Sequence, residues 1–172
     1  MNAILRDRID ALASDILSAI EESAPIADIN SIVKKLGGRV EEVNEVFSIE
    51  GSIAREGEGF CITVPMWQNQ ERKNFTIAHE LGHLFLHMGY LINDSIWQNS
   101  STQVYYRQGN SASEQEANEF AASLLMPREL FKKIIEKNSE NGRVNISRVA
   151  DFFNVSVDAA SYRGKWLGLL QW

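Results

Sequence analysis

Cysteine is nearly missing from this chain: Cys61 stands alone among 172 residues. No disulfide can form within it, and a reducing cytoplasm is the expected location. Cys61 itself lies in the apolar-leaning run "GFCITVP" and reads as a buried strand residue. Positive charge is also short, with 17 Lys and Arg against 23 Asp and Glu and a formal net charge of −6. Such a balance argues against wrapping nucleic acid. Long hydrophobic runs are missing too. No stretch approaches the ~18 apolar residues of a membrane span, and "MNAILRDRIDAL" meets Asp7 and Asp10 before any apolar core, unlike a signal peptide. Histidine is the last scarcity: the chain has 3, and all stand between positions 79 and 87.

With 172 residues, 44% of them hydrophobic, the chain suits one domain over 1–172, without internal repeats or low-complexity segments. Ile4, Leu5, Ile9, Leu12, Ile16, Leu17 and Ile20 recur at helical spacing and predict an amphipathic helix over 3–21. A second helix is expected from near Ser23, with Pro25 in its first turn, to Gly37-Gly38. The pattern then changes. Spaced apolar residues, β-branched types and glycine breaks predict short strands near 39–43, 48–55 and 60–64 in a mostly antiparallel sheet. "GFCITVP" is read as its edge strand, against which an extended peptide adds a further strand.

Residues 71–88 lack proline and place Phe75, Ala78, Leu81, Leu84 and Phe85 at the spacing of a buried helix ended by Gly89. The polar stretch 90–112 exceeds the ~4–6 residues of an ordinary connection and is expected to be a loop that is either mobile or functional, in the second case screening substrates beside the cleft. "SEQEANEFAASLLMP" predicts a helix capped by Ser113, with Glu116 completing a capping box and Pro127 interrupting it. A short helix is expected near 128–137, then two more around a turn at Asn154-Val155, the second capped by Ser156. The fold class is α+β: a small three-stranded sheet packed with helices, organised as 1–38, 39–127 and 128–172.

The histidines carry the chemistry. On a helix, His79 and His83 of "HELGH" lie about 40° apart in azimuth and roughly 6 Å apart in rise, so both imidazoles can converge on one ion. Glu80 borders that point without having to ligate it, placed to take a proton from water and return it to a leaving amine. His87 is about 12 Å of rise from His79, too far to share a small ion, and is expected to support the ligands from behind or to face solvent. The longer metzincin pattern fails, since Leu86 and Gly89 stand where it needs Gly and His. A third ligand is expected from an acid of the following helix, Glu114, Glu116 or Glu119. Glu114 is preferred because Asn118, four residues on, can hold a ligand histidine's other nitrogen. Periodicity leaves Glu116 open.

"HELGH" followed by "EQEANEFAASLLMP" resembles the ImmA/IrrE family of bacterial and phage metallopeptidases, most closely over 72–127. The resemblance implies a zincin-like core and a zinc endopeptidase with His79, His83 and Glu114 as ligands and Glu80 as general base and acid. It further implies a protein substrate, a helix-turn-helix repressor of the Xre or Cro/CI type, whose cleavage derepresses phage, mobile-element or stress genes. Nitrogen and carboxylate donors also admit manganese. Tyr105, Tyr106, Tyr162 and Arg163 are candidates for stabilising an oxyanion, with tyrosine packing and a surface arginine as the plainer assignment. Two other functions compete: a non-proteolytic partner of such a regulator with a structural metal, and a DNA-binding regulator using the C-terminal helix pair. The intact Glu80 weakens the first and the acidic charge the second.

Overall fold

A computed structural model of the chain describes residues 1–44, 50–100 and 111–171. Helix α1 (Ala3–Ala19) starts where the Asn2 side chain accepts the Leu5 N–H at 2.8 Å, and it turns Ile9, Ala13, Ile16 and Leu17 into the core. Helix α2 (Ile29–Lys35) begins later than the sequence suggests. Its capping oxygen comes from Asp28, which takes the Asn30 N–H at 2.9 Å, so Ser23 and Pro25 precede the helix.

Strands β1 (Gly38–Val43), β2 (Ser52–Glu56) and β3 (Gly59–Pro65) form a sheet in the order β1-β3-β2. β2 and β3 are an antiparallel hairpin, while β1 joins β3 in parallel. The class is α+β, but "GFCITVP" is not an edge strand. It is β3, and it is central because Phe60, Cys61, Ile62 and Val64 are all buried and need cover on both sides. The edges fall to β1 and β2, whose exposed Arg39, Glu41, Glu42 and Glu56 tolerate water.

Helix α3 (Gln70–Leu86) packs along α5 (Ala112–Leu125), with the Phe85 and Phe120 rings 5.9 Å apart. Gly82 sets how close they come: a Cβ there would stand 2.9 Å from the Ala117 Cα. The 90–112 stretch is not all loop. Asn93 caps a short helix, α4 (Asp94–Asn99), which is pinned by buried Trp97 against Tyr90 with ring centroids 4.8 Å apart. The cap of α5 is Ser111 rather than Ser113: its Oγ accepts the Glu114 N–H at 3.3 Å.

After α6 (Arg128–Lys137), strands β4 (Ser139–Glu140) and β5 (Arg143–Val144) make a hairpin absent from the sequence expectations, turned by Asn141 and Gly142 at φ 51° and 73°. Helices α7 (Ile146–Phe153) and α8 (Val157–Trp166) follow as expected, with Asn154 in the left-handed turn and Ser156 capping α8. Leu167, Leu169 and Leu170 dock the end of the chain onto the core.

One charge network ties α8 to the body. Arg163 is 2% exposed and donates to the Met126 carbonyl at 3.1 Å, to Glu119 at 3.0 Å and to Asp10. Arg6 meets Glu119 from α1 at 3.3 Å. The expectation of a surface charge at Arg163 does not hold: the side chain is buried, with its nitrogens held by the Met126 carbonyl, Glu119 and Asp10. The acids that bury it lie far away in sequence, on α1 and α5. Among the described residues no helix is long and apolar enough to cross a membrane.

Candidate metal centre

The α3 histidines and the first turn of α5 meet inside the protein. His79 Nε2 and His83 Nε2 are 3.1 Å apart, and the Glu114 carboxylate reaches each of them at 3.2 Å. His79 and His83 are 1% and 0% exposed. Ligand atoms of the three residues all lie within 4.8 Å of one another. The other two candidate acids go elsewhere, Glu116 to His87 at 3.2 Å and Glu119 to the Arg163 network. Capping by Ser111 explains the choice, because it places Glu114 in the first turn of α5, one turn before Asn118 and across from His79.

Groups behind the histidines aim them. His79 Nδ1 lies 2.9 Å from the Asn118 carbonyl oxygen, so Nδ1–H donates and the Nε2 lone pair faces Glu114. His87 stands with its Nδ1 3.0 Å from His83 Nδ1 and its Nε2 3.2 Å from Glu116. If His87 Nε2–H donates to Glu116, His87 Nδ1 accepts from His83 Nδ1–H, and the His83 Nε2 lone pair also points inward. Both tautomers are assigned from these partners. Replacing Asn118 with alanine is expected to weaken metal affinity by about 10–100-fold, measured by competition with a chelator, while the fold is retained.

The donors fit a divalent cation. Two inward lone pairs and a carboxylate crowd one buried point, a nitrogen and oxygen set that suits zinc and also manganese. Beside them Glu80 is 3% exposed, and its Oε2 has no hydrogen-bond partner among the described residues. Burial pushes the Glu80 carboxyl up to about 7, with the His79 charge pulling down and the Glu114 charge adding to the rise. Burial, followed by the charge of His79, drives His83 down to about 3, which keeps it the neutral imidazole a ligand must be. For His79 burial acts downward, but the hydrogen bond to the Glu114 carboxylate, the charges of Glu80 and Glu114 and the Asn118 bond together raise it, so its Nε2 lone pair is freed for a metal only when that proton leaves.

The approach to β2 closes the other side. A Cβ on Gly51 would stand 2.4 Å from Thr76 Cγ2 and 3.0 Å from Glu80 Oε1, so bare backbone lies against the carboxylate. Gln68 clamps this segment. Its amide donates to the Glu50 carbonyl at 2.8 Å and accepts from the Thr76 hydroxyl at 3.1 Å, while Arg72 pairs with the Glu50 side chain at 2.7 Å. Sequence reasoning missed Gly51, Gln68 and Thr76; a glycine opening a strand is the only signal they leave. Gly51→Val is expected to displace Glu80, lowering kcat/KM by about tenfold or more, roughly 1.4 kcal/mol of barrier, with metal content unchanged.

Tyr162 is 59% exposed, on the wall of a cleft beside α3 and α5. Tyr105 and Tyr106 lie outside the described residues.

A histidine pair with an intervening glutamate on one helix, a second carboxylate on the helix packed beside it and a small sheet alongside form the donor arrangement of the HExxH metallopeptidase class. The chain belongs to the family described as Peptidase_M78, IrrE N-terminal-like domain, whose model matches residues 49–165. Among solved structures it is similar to a Mycobacterium tuberculosis transcriptional regulator, with a TM-score of 0.62 and 18% identity over 92% of this chain and 49% of that one. At that identity the likeness is one of fold, and the chain spans about half the length of that protein. No curated protein sequence matches.

Proposed function

We propose that this chain is a zinc-dependent endopeptidase that cuts a cytoplasmic helix-turn-helix repressor of the Xre or Cro/CI type and so derepresses phage, mobile-element or stress genes. The observation that carries the catalytic part is Glu80, a buried carboxyl with an unpartnered oxygen set against the His79, His83 and Glu114 cluster. The repressor is drawn from the resemblance of "HELGH" and "EQEANEFAASLLMP" to the ImmA/IrrE pattern.

Bound by His79, His83 and Glu114, the cation supplies Lewis acidity, polarising the scissile carbonyl and making water a stronger acid. Glu80 Oε2 takes the proton from the attacking water and, buried with no hydrogen-bond partner among the described residues to hold it elsewhere, gives it back to the leaving amine. Asn118 and His87 keep the two imidazoles aimed while this happens. An extended substrate can lie along the outer edge of β2, which has no strand partner among the described residues and begins beside Glu80. The DNA-binding alternative loses support, because Arg163, one of two cations that α8 would offer to phosphate, is buried in ion pairs.

The test is to incubate the zinc-loaded protein with the helix-turn-helix regulator encoded beside it. Cleavage at a single position, lost in Glu80→Gln, is expected. A stable complex without cutting would replace this proposal with the binding-partner reading.

A further inference from the structure

The groove beside the metal centre has more surface than peptide hydrolysis requires. It lies between α3, α5 and α8, has a volume of about 1070 Å³, and its wall includes Trp67, Phe75, Tyr162 and Trp166. Trp67 is 66% exposed and Trp166 42%, so large rings face water here. The space suits several side chains rather than one.

Charge and position narrow the occupant. Three arginines line the groove, and each is engaged: Arg6 with Glu119 and over the Trp166 ring, Arg72 with Glu50, Arg163 with Asp10 and Glu119. Glu71 and Asp158 also line it, in the first turns of α3 and α8, and neither has an ion pair among the described residues. The groove borders the metal centre without including its ligands or Glu80. Asn118 belongs to its wall and holds His79, and Phe75 precedes His79 by one turn of α3, about 6 Å of rise.

We infer that this groove docks a segment of the protein substrate that combines apolar side chains with lysine or arginine, and so selects which proteins reach Glu80. The inference rests on the endopeptidase reading, with the substrate held at a second place beside the scissile bond. Aromatic walls supply contact area at small entropic cost, and the acids select the sign of the flanking charge.

Binding can be tested apart from cleavage, using full-length zinc-loaded Glu80→Gln protein. The probes are two fluorescent 14-residue amphipathic peptides of leucine and phenylalanine, one with lysine on its polar face and one with glutamate. The lysine peptide is expected to bind at least about tenfold more tightly, more weakly as salt rises, and to lose about tenfold or more with Tyr162→Ala and with Glu71→Gln/Asp158→Asn. Tyr162 and Asp158 are exposed and Glu71 half-buried, and each acid sits in a helix first turn where its charge contributes about 0.3–1 kcal/mol, so thermal melts should fall by only a few degrees and the variants remain folded. Equal binding of the two peptides, no binding of either, or unaltered binding by both variants overturns the groove. With a repressor that is cut, the same variants raise KM and leave kcat in place. If no repressor is cut, the peptide result still stands alone, so failure of the endopeptidase reading and failure of the groove are told apart.

Discussion

Glu80→Gln slows peptide cleavage by about 10²–10⁴-fold, the usual span for a general acid and base, with metal content unchanged. The same substitution stabilises the metal-free protein. The folded carboxyl titrates near 7 because it is buried, against 4.5 as its ordinary value. As pH rises between those values the unfolded chain gives up this proton first, so native stability falls across the window and the full penalty, about 3 kcal/mol, is present above pH 7. Glutamine carries no charge at any pH. Urea unfolding of the two metal-free proteins should therefore coincide near pH 4 and diverge by up to about 3 kcal/mol at pH 8, with the variant the more stable. Parallel curves at every pH would show that Glu80 is not buried as described.

Arg163→Ala is the largest expected loss of stability, about 3–5 kcal/mol, since it leaves Asp10 and Glu119 without the guanidinium that lets them be buried. Burial already pushes the Glu119 carboxyl up, while Arg163, then Arg6 and Arg128 pull it down, so removing Arg163 takes away the largest of the three opposing charges. Arg128→Ala is the control. Its side chain is 40% exposed, its closest pair is with an Asp7 that is 62% exposed, and it reaches Asp10 of the Arg163 network only at 3.7 Å, so about 1 kcal/mol or less should change. Urea midpoints of the metal-free proteins compare the two. A loss for Arg163→Ala no larger than for Arg128→Ala would mean that the network holds nothing together.

The contrast between these two residues shows what the sequence could and could not tell. His79, Glu80 and His83 are legible because one helical turn fixes their geometry, and α1, α6, α7 and α8 because period and capping are local. Ser156 is the right cap where Ser113 is the wrong one, since two serines lie two residues apart at the start of α5 and the sequence alone does not distinguish Ser111, which caps it, from Ser113, which lies inside it. Glu114 over Glu116 follows from that choice. Arg163 meets acids on α1 and α5, far outside any local window, and its neighbour Tyr162 faces water, so sequence spacing offers no sign of burial. The central place of β3 is likewise a matter of which strand needs cover on both edges, a question its own residues raise and its neighbours answer.

Zinc titration by calorimetry tests the central claim most directly. The metal-free protein should take up a single ion per chain, Glu80→Gln should bind it as the parent does, and Glu114→Ala or His83→Ala should lose more affinity than the roughly 10–100-fold expected for Asn118→Ala. If Glu114→Ala bound zinc as tightly as the parent, or if the parent bound none, the buried cluster on α3 and α5 would not be a metal centre.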